Sequence, residues 1–145
     1  EIKARIIERL ILALRIIESI IDSWYPGFPK ISFAPVDVRD VAWVHAEAIE
    51  NSNLNGERLI MATSPITMPQ IAAHLKSNGW KVSTRALPNF IVKIMALFIK
   101  EARLVSSGLG TTNYYDCSNT IQKSGWKSKS QKEMIISAVD SLNLR

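Results

Sequence analysis

Residues 35–42 read Pro-Val-Asp-Val-Arg-Asp-Val-Ala and join a predicted strand to a predicted helix. The strand covers residues 31–38 and is weakened at Pro35, because proline supplies no backbone N–H to a ladder. We expect Asp40 to cap the following helix, since its carboxylate can accept hydrogen bonds from the first-turn N–H groups. Apolar residues at helical spacing continue as far as Ile49. This stretch therefore predicts a strand-to-helix turn held by polar side chains.

The predicted elements alternate between helix and strand along the chain. In order, they are a helix at 2–24, a turn at 25–29, a strand at 31–38, a helix after Asp40, a strand at 57–63, a helix capped by Thr67 and Gln70 and stopped by Gly79, a strand at 80–86, a helix at 87–100, a short extended piece at 114–117, and helices at 118–123 and 131–142. This order is typical of an α/β protein. No linker divides residues 1–145, so we predict one domain.

Composition excludes several classes of protein. The net charge of +5 comes from 18 basic and 13 acidic residues, and it is spread along the chain without the basic stripe of a nucleic-acid-binding protein. Arg15 interrupts the longest apolar run, so the sequence does not favour a membrane span. Helix 2–24 is predicted to pack in a core, with a membrane surface or an oligomer interface as alternatives.

The N-terminal residues show no signal-peptide pattern. We therefore expect a cytoplasmic protein. The chain begins with Glu1 and not with Met, which is compatible with a segment of a longer product.

Residue types that carry catalysis are sparse. Cys117 is the only cysteine, so it forms no intramolecular disulfide, and we predict a small buried residue and not a catalytic thiol. His45 is predicted to be a packed structural histidine, and His74 to face the surface. Because one cysteine and two histidines make a poor ligand set, we predict no metal site and no catalytic residue.

Two polar features remain as candidates for a site. Asp37, Arg39 and Asp40 could do acid–base work, although we favour a structural role in which Arg39 pairs nearby. Gly108 and Gly110 are closely spaced, but no strand precedes them and no third glycine follows at the spacing that a dinucleotide-binding loop needs. We therefore predict no cofactor-binding residue in this chain.

Six segments, in order along the chain, resemble segments of the extended short-chain dehydrogenase/reductases. They are Tyr25-Pro26-Gly27-Phe28-Pro29-Lys30, Pro35 to Ala42 with His45 and Ala48, Gly56-Glu57-Arg58, Leu87-Pro88-Asn89-Phe90, Tyr115-Asp116-Cys117-Ser118-Asn119 with Gly125-Trp126, and Ser130 to Leu142. Over residues 5–143 the chain is most similar to the dihydroflavonol-reductase-like branch of the NAD-dependent epimerase/dehydratase family. Asn119 and Ser124 depart from the pattern, which usually has lysine and leucine there.

The resemblance implies the C-terminal, substrate-side lobe of a Rossmann-type enzyme, without its nucleotide-binding half. In that family the glycine-rich loop, the catalytic serine and the Tyr-x-x-x-Lys pair precede the region that resembles this chain. No tyrosine of this chain has a lysine four residues later. The whole enzyme would transfer a hydride from NADPH to a ketone or aldehyde. This chain alone is expected to be inactive and to bind no NADP(H).

The resemblance also implies substrate-binding residues. The segment around Phe28, Phe33 and Ala34 is similar to one that reaches toward the substrate in relatives, so these three residues are the predicted pocket wall. Three apolar residues of the helix at 87–100 either close the pocket from another side or pack in the core. Those residues are Phe90, Ile94 and Phe98.

The implied partners follow from the same resemblance. They are a small-molecule carbonyl substrate in the intact enzyme, together with the missing N-terminal half or a second copy of the chain. We expect no nucleic acid and do not favour a membrane. The alternative function is a stand-alone, non-catalytic binding or interaction protein derived from this lobe, whose apolar helices would need a partner.

Overall fold

The computed structural model describes residues 14–22, 27–98 and 108–142, and within them the chain is a mostly helical α/β protein. Its helices are α1 at 14–21, α2 (Val38–Glu50), α3 (Met68–Ser77), α4 (Asn89–Phe98), α5 (Ser118–Ser124) and α6 (Gln131–Ser141), with a 3-10 turn at Ser52–Leu54 after α2. Strands β1 (Ser32–Phe33) and β2 (Ile66–Thr67) pair antiparallel. Residues 2–13 and 23–24 of the predicted first helix, residues 25–26 of the turn and residues 99–100 of the predicted helix at 87–100 lie outside the described residues.

The predicted strands are mostly wrong. The strand expected at 31–38 is confirmed only at Ser32–Phe33, because Pro35 has no N–H to donate and the chain turns into α2 two residues later. Residues 57–63 and 114–117 join no strand, and residues 80–86 contribute only an isolated parallel bridge from Ala86 to Phe28. A strand needs a neighbouring strand to satisfy its backbone, and apolar alternation does not reveal that neighbour.

Helix α2 begins at Val38, earlier than predicted, and its N-cap is Asp37. The Asp37 Oδ1 accepts a hydrogen bond of 2.8 Å from the backbone N–H of Arg39. The prediction that Asp40 caps this helix is therefore wrong. Asp40 lies inside the first turn and is buried, which leaves its carboxylate available to another part of the chain.

Other helix ends follow the sequence closely. Gln70 Oε1 accepts a hydrogen bond of 2.8 Å from the N–H of Thr67 at the start of α3, and Ser130 Oγ accepts one of 3.2 Å from the N–H of Glu133 in α6. Gly125 ends α5 in the left-handed conformation, with φ of +73°. These boundaries are confirmed because caps act over only three or four residues.

Two apolar clusters hold the described elements together. The larger one joins α1, α3, α6 and the two-stranded sheet, and its buried members are Ile20, Phe28, Ile66, Ile71, Ala72, Leu75, Val82, Ile135 and Val139. The smaller one consists of Val44, Cys117 and Trp126, with Leu59 and Met61 packed against it. Helix α2 therefore packs on the α5 region, while α3 packs on α6.

Candidate functional site

Asp37 and Arg39 form a bidentate ion pair at the start of α2. The Asp37 Oδ1 lies 2.9 Å from Arg39 Nε, and Oδ2 lies 2.7 Å from Nη2. The hydrogen-bonded Arg39 guanidinium holds the pKa of Asp37 below its ordinary value, although burial of the carboxyl opposes this shift. Arg39 also approaches Glu133 Oε1 at 3.6 Å. Both side chains therefore position the start of α2, in agreement with the structural role that the sequence favours.

Asp40 connects α2 to the loop that precedes α6. Its Oδ2 accepts a hydrogen bond of 2.9 Å from the backbone N–H of Lys129. The Asp40 carboxylate is 6% exposed, and a buried carboxylate needs such a donor to offset its desolvation. This geometry does not support an acid–base role for Asp40, because its Oδ2 is occupied by the backbone N–H of Lys129.

A cleft of about 440 Å³ lies where α2 meets this loop. Its lining residues are Arg39, Asp40, Trp43, Gly125, Trp126, Lys127 and Lys129. Trp43 is half exposed, and Lys127 makes no ion pair within the described part of the chain. Arg39 is paired with Asp37, and Lys129 Nζ lies 3.7 Å from Glu133 Oε1. The cleft has an indole face but no side chain placed as a nucleophile, so its geometry does not support catalysis.

Sequence reasoning missed this cleft. Arg39 and Trp43 lie on α2, whereas Lys127 and Lys129 lie far along the chain, and no local pattern connects the two groups. The one available signal is Gly125-Trp126, which the sequence offers only as part of the fifth resembling segment. Trp126 is buried, and its indole Nε1 has no hydrogen-bond partner in the structure.

The predicted substrate-binding residues lie close together, and two of them belong to the larger apolar cluster. Phe28 is 4% exposed, and its backbone bonds to Arg85 and Leu87. Phe33 is half-buried, pairs with Ile66 across the sheet and packs against the same cluster. Ala34 follows β1 and is also half-buried. None of the three lines the cleft beside Trp43.

The three apolar residues predicted on α4 point away from the protein. Phe90, Ile94 and Phe98 are 64%, 54% and 84% exposed. The expectation that they pack in the core is therefore wrong, because the helix turns its small residues inward and buries Val92 and Ala96 instead. Nor do these three side chains close a pocket with the described residues.

The cysteine is confirmed as a buried residue, but one histidine is not where it was expected. Cys117 Sγ lies 3.5 Å from the carbonyl oxygen of Ala62. His45 is exposed, and its Nδ1 lies 2.7 Å from the Val41 oxygen in its own helix, so the prediction of a packed histidine is wrong. His74 is half-buried. Among residues 14–22, 27–98 and 108–142, no His, Cys, Asp or Glu residues group as a metal site.

The segments that carry the family resemblance contact one another. The Leu87 N–H donates to the Phe28 oxygen at 2.8 Å, which joins the first segment to the fourth. Asn119 Nδ2 donates to Glu57 Oε2 at 3.5 Å, which joins the fifth segment to the third. Arg39 Nη2 lies 3.6 Å from Glu133 Oε1, which joins the second segment to the sixth. The motif residues therefore connect distant segments of the fold.

Comparisons with known proteins gave a structural likeness and no sequence family. No protein-family model matches the chain, and no curated protein matches it. A solved structure described as "Crystal structure of gox2253" is similar with a TM-score of 0.67 and 17% sequence identity. The similarity covers 90% of this chain and 43% of that chain. It shows a shared fold, and this chain spans less than half the length of gox2253.

One further finding concerns membranes. In the part of the chain that the structure describes, each helix is too short or too polar to cross a bilayer.

Proposed function

We propose that this chain is the substrate-side lobe of an NADPH-dependent oxidoreductase of the extended short-chain dehydrogenase/reductase type. The whole enzyme would reduce a ketone or aldehyde in the cytoplasm, and the chain alone would be inactive. The Rossmann-type half that binds the nucleotide would lie outside this chain. The shared fold with part of a longer chain, gox2253, is compatible with this division.

The observation that carries the proposal is the set of contacts between the resembling segments. Each segment alone is a weak pattern, and a chance match would place such segments without regard to one another. Here Phe28 meets Leu87, Glu57 meets Asn119, and Arg39 meets Glu133. A fold is held together by contacts between distant segments, and the residues that make such contacts are the ones that a family shares. These contacts therefore support family membership.

The lobe's own contribution to the reaction would be binding. Phe33 and Ala34 would form part of the apolar wall beside the carbonyl substrate, and the buried Phe28 would position them from the core. Polar groups that protonate the carbonyl are not assigned to this chain. The roles of Phe33 and Ala34 therefore concern which substrate fits, and not how fast the chemistry proceeds.

The residues present do not fit the nicotinamide cofactor. The closely spaced glycines lie in a turn at 108–110, where the Gly110 N–H approaches the Lys30 oxygen at 3.5 Å. The next helix along the chain begins only at Ser118, so the turn does not lead directly into the helix N-terminus that receives a pyrophosphate in a dinucleotide-binding loop. In the proposal, the cofactor is held entirely outside this chain.

The test uses the native product that carries this chain, isolated with an antibody against residues 131–141. Its NADPH oxidation is followed by absorbance with a graded series of aldehydes and ketones. Ala34→Val narrows the proposed wall, so KM should rise severalfold for bulky substrates and little for small ones. Ala42→Val, on the exposed side of α2, is the matched control and should leave this selectivity unchanged.

Two results would overturn the proposal. One is a native product that fails to oxidise NADPH in the presence of any carbonyl compound of the series. The other is an active product in which Ala34→Val and Ala42→Val give the same selectivity among the carbonyl substrates. That result would show that Ala34 does not line the substrate site. A product of only 145 residues without NADPH oxidation would instead favour the non-catalytic binding protein.

A further inference from the structure

Helix α4 has two apolar faces, of which only one is covered. Val92 and Ala96 face the protein and are 3% and 9% exposed. On the opposite side lie four large apolar residues at helical spacing. They are Phe90, Ile94, Leu97 and Phe98, and Leu97 is 70% exposed. Below, the outer stripe means these four residues.

Such a helix is unusual on a surface in water. A surface helix normally has polar residues opposite its buried side, and a helix that is apolar all round is normally covered. Contiguous exposed apolar residues generally mark a site of interaction with another molecule or with a membrane. The outer stripe therefore needs an occupant, and the charge around it indicates which.

The outer stripe lies in a stretch without any carboxylate. Residues 58–100 contain no Asp or Glu but six Lys or Arg residues. Lys93 is exposed at the edge of the outer stripe. Arg85 and Lys30 are also exposed. The Phe28 N–H donates to the Arg85 oxygen and the Leu87 N–H donates to the Phe28 oxygen, which brings their two segments together before the start of α4. An apolar stripe beside an exposed lysine, within a segment of six cations and no carboxylate, complements an anionic surface.

We propose that α4 docks this protein on the surface of an anionic lipid bilayer. The outer stripe would lie in the boundary between headgroups and acyl chains, and Lys93 would contact lipid phosphates. The ten residues of α4 that the structure describes are only about 15 Å long, and we place them in the plane of the membrane. The cytoplasmic leaflet carries the negative surface potential that such a site requires.

A second copy of the chain fits the outer stripe less well. A second copy would present the same outer stripe and the same Lys93, with no carboxylate among residues 58–100 to pair with that lysine. Like charges next to an apolar contact weaken it. A bilayer with anionic headgroups provides both the apolar and the charged complement at once.

Vesicle co-sedimentation of the full chain tests the proposal. The probes are vesicles of phosphatidylcholine alone and of phosphatidylcholine with about a third phosphatidylserine. We expect binding to the anionic vesicles that weakens in high salt. Phe90→Ser/Phe98→Ser should reduce the partition coefficient at least tenfold. The matched control, Val38→Ser/Ile49→Ser, removes two residues of α2 that are 67% and 87% exposed and should leave binding unchanged.

Charge is tested separately. Lys93→Glu should weaken binding to anionic vesicles severalfold. Lys132 on α6 is also exposed, and Lys132→Glu should change binding little. Circular dichroism melting curves establish that each variant folds. Wild-type protein that ignores anionic vesicles would overturn the proposal. So would self-association that Phe90→Ser/Phe98→Ser abolishes without any vesicle binding, since a second copy would then be the occupant. Vesicle binding by this chain that the longer native product lacks would also overturn it, since the missing half would then cover the outer stripe.

Discussion

The buried carboxylate of Asp40 accepts a hydrogen bond from the backbone N–H of Lys129, at 2.9 Å and 89 positions along the chain. It connects the first turn of α2 to the loop before α6. Arg39, next to Asp40, approaches Glu133 of α6. The polar residues at the start of α2 therefore join two distant parts of the chain.

Removal of the Asp40 carboxylate should destabilise the protein. Asp40→Ala leaves the N–H of Lys129 without its acceptor, which we expect to lower the free energy of unfolding by about 1–3 kcal/mol. Asp40→Asn keeps an acceptor oxygen and should cost less. Urea unfolding followed by tryptophan fluorescence measures both. Glu50→Ala, an exposed change in the same helix, is the control, and an equal loss in all three variants would remove the special role of Asp40.

Stability should fall in acid, partly through Asp37. Its pKa is lowered in the folded protein by the hydrogen bond from Arg39. A carboxyl with a lowered folded-state pKa stabilises the fold above its unfolded pKa, about 3.9, and loses that contribution as the pH falls through its folded pKa. Asparagine is also a good N-cap. Asp37→Asn should therefore be less stable than wild type at pH 6, with a difference that shrinks toward pH 3.

Urea titrations at pH 6, 4 and 3 measure this difference. Glu57 and Asp116 also have lowered pKa values, through hydrogen bonds from Lys123 and Ser118 respectively, so wild type and variant should both lose stability in acid. Glu50→Gln serves as the control and should follow wild type. A constant gap between Asp37→Asn and wild type at the three pH values would contradict the assignment.

Gly27 should tolerate no side chain. A Cβ at this position would lie 2.6 Å from the carbonyl oxygen of Arg85, and that oxygen already accepts a hydrogen bond from Phe28. Gly27→Ala must push two backbone segments apart, with an expected cost of about 1–3 kcal/mol in thermal or urea unfolding. Gly56→Asn is the comparison. It has φ of +73° and nothing within 4 Å, and asparagine accepts that conformation.

Cys117 should react slowly with thiol reagents in the folded protein. It is 9% exposed and packs with Val44 and Trp126. Reaction then requires local opening, so a colorimetric disulfide reagent should modify native protein about a hundredfold more slowly than protein in urea. The unfolded sample gives the full single-thiol signal as its own control. Fast modification of the native protein would show that this cluster opens readily.

Helix ends can be predicted from this sequence, because their determinants are local. Thr67 with Gln70, Ser130 with Glu133, and Gly125 each act within one helical turn, and all three boundaries agree with the structure. Asp37 and Asp40 show the limit of local reasoning. Both have the chemistry of a cap, and the contact that commits Asp40 to Lys129 lies far along the chain.

The strands and the cleft could not be predicted for a related reason. An apolar segment such as 57–63 becomes a strand only where another strand meets it, and the described residues give it isolated hydrogen bonds, as from Thr63 to Pro35. Likewise Trp43 and Lys127 become neighbours only after α2 packs on the loop after α5. The reversal on α4 has another origin, since its apolar residues surround the whole helix and periodicity cannot say which side faces inward.

The long separation between Asp40 and Lys129 also affects how the chain is made. Ribosomes add about 5–20 residues per second, so the 89 positions between them take about 4 to 18 s to synthesise. Throughout that interval the Asp40 carboxylate of α2 lacks the backbone N–H of Lys129 and remains hydrated. The nascent chain therefore reaches its folded arrangement only after Lys129 has been made, and chaperones have a window in which to bind its apolar helices.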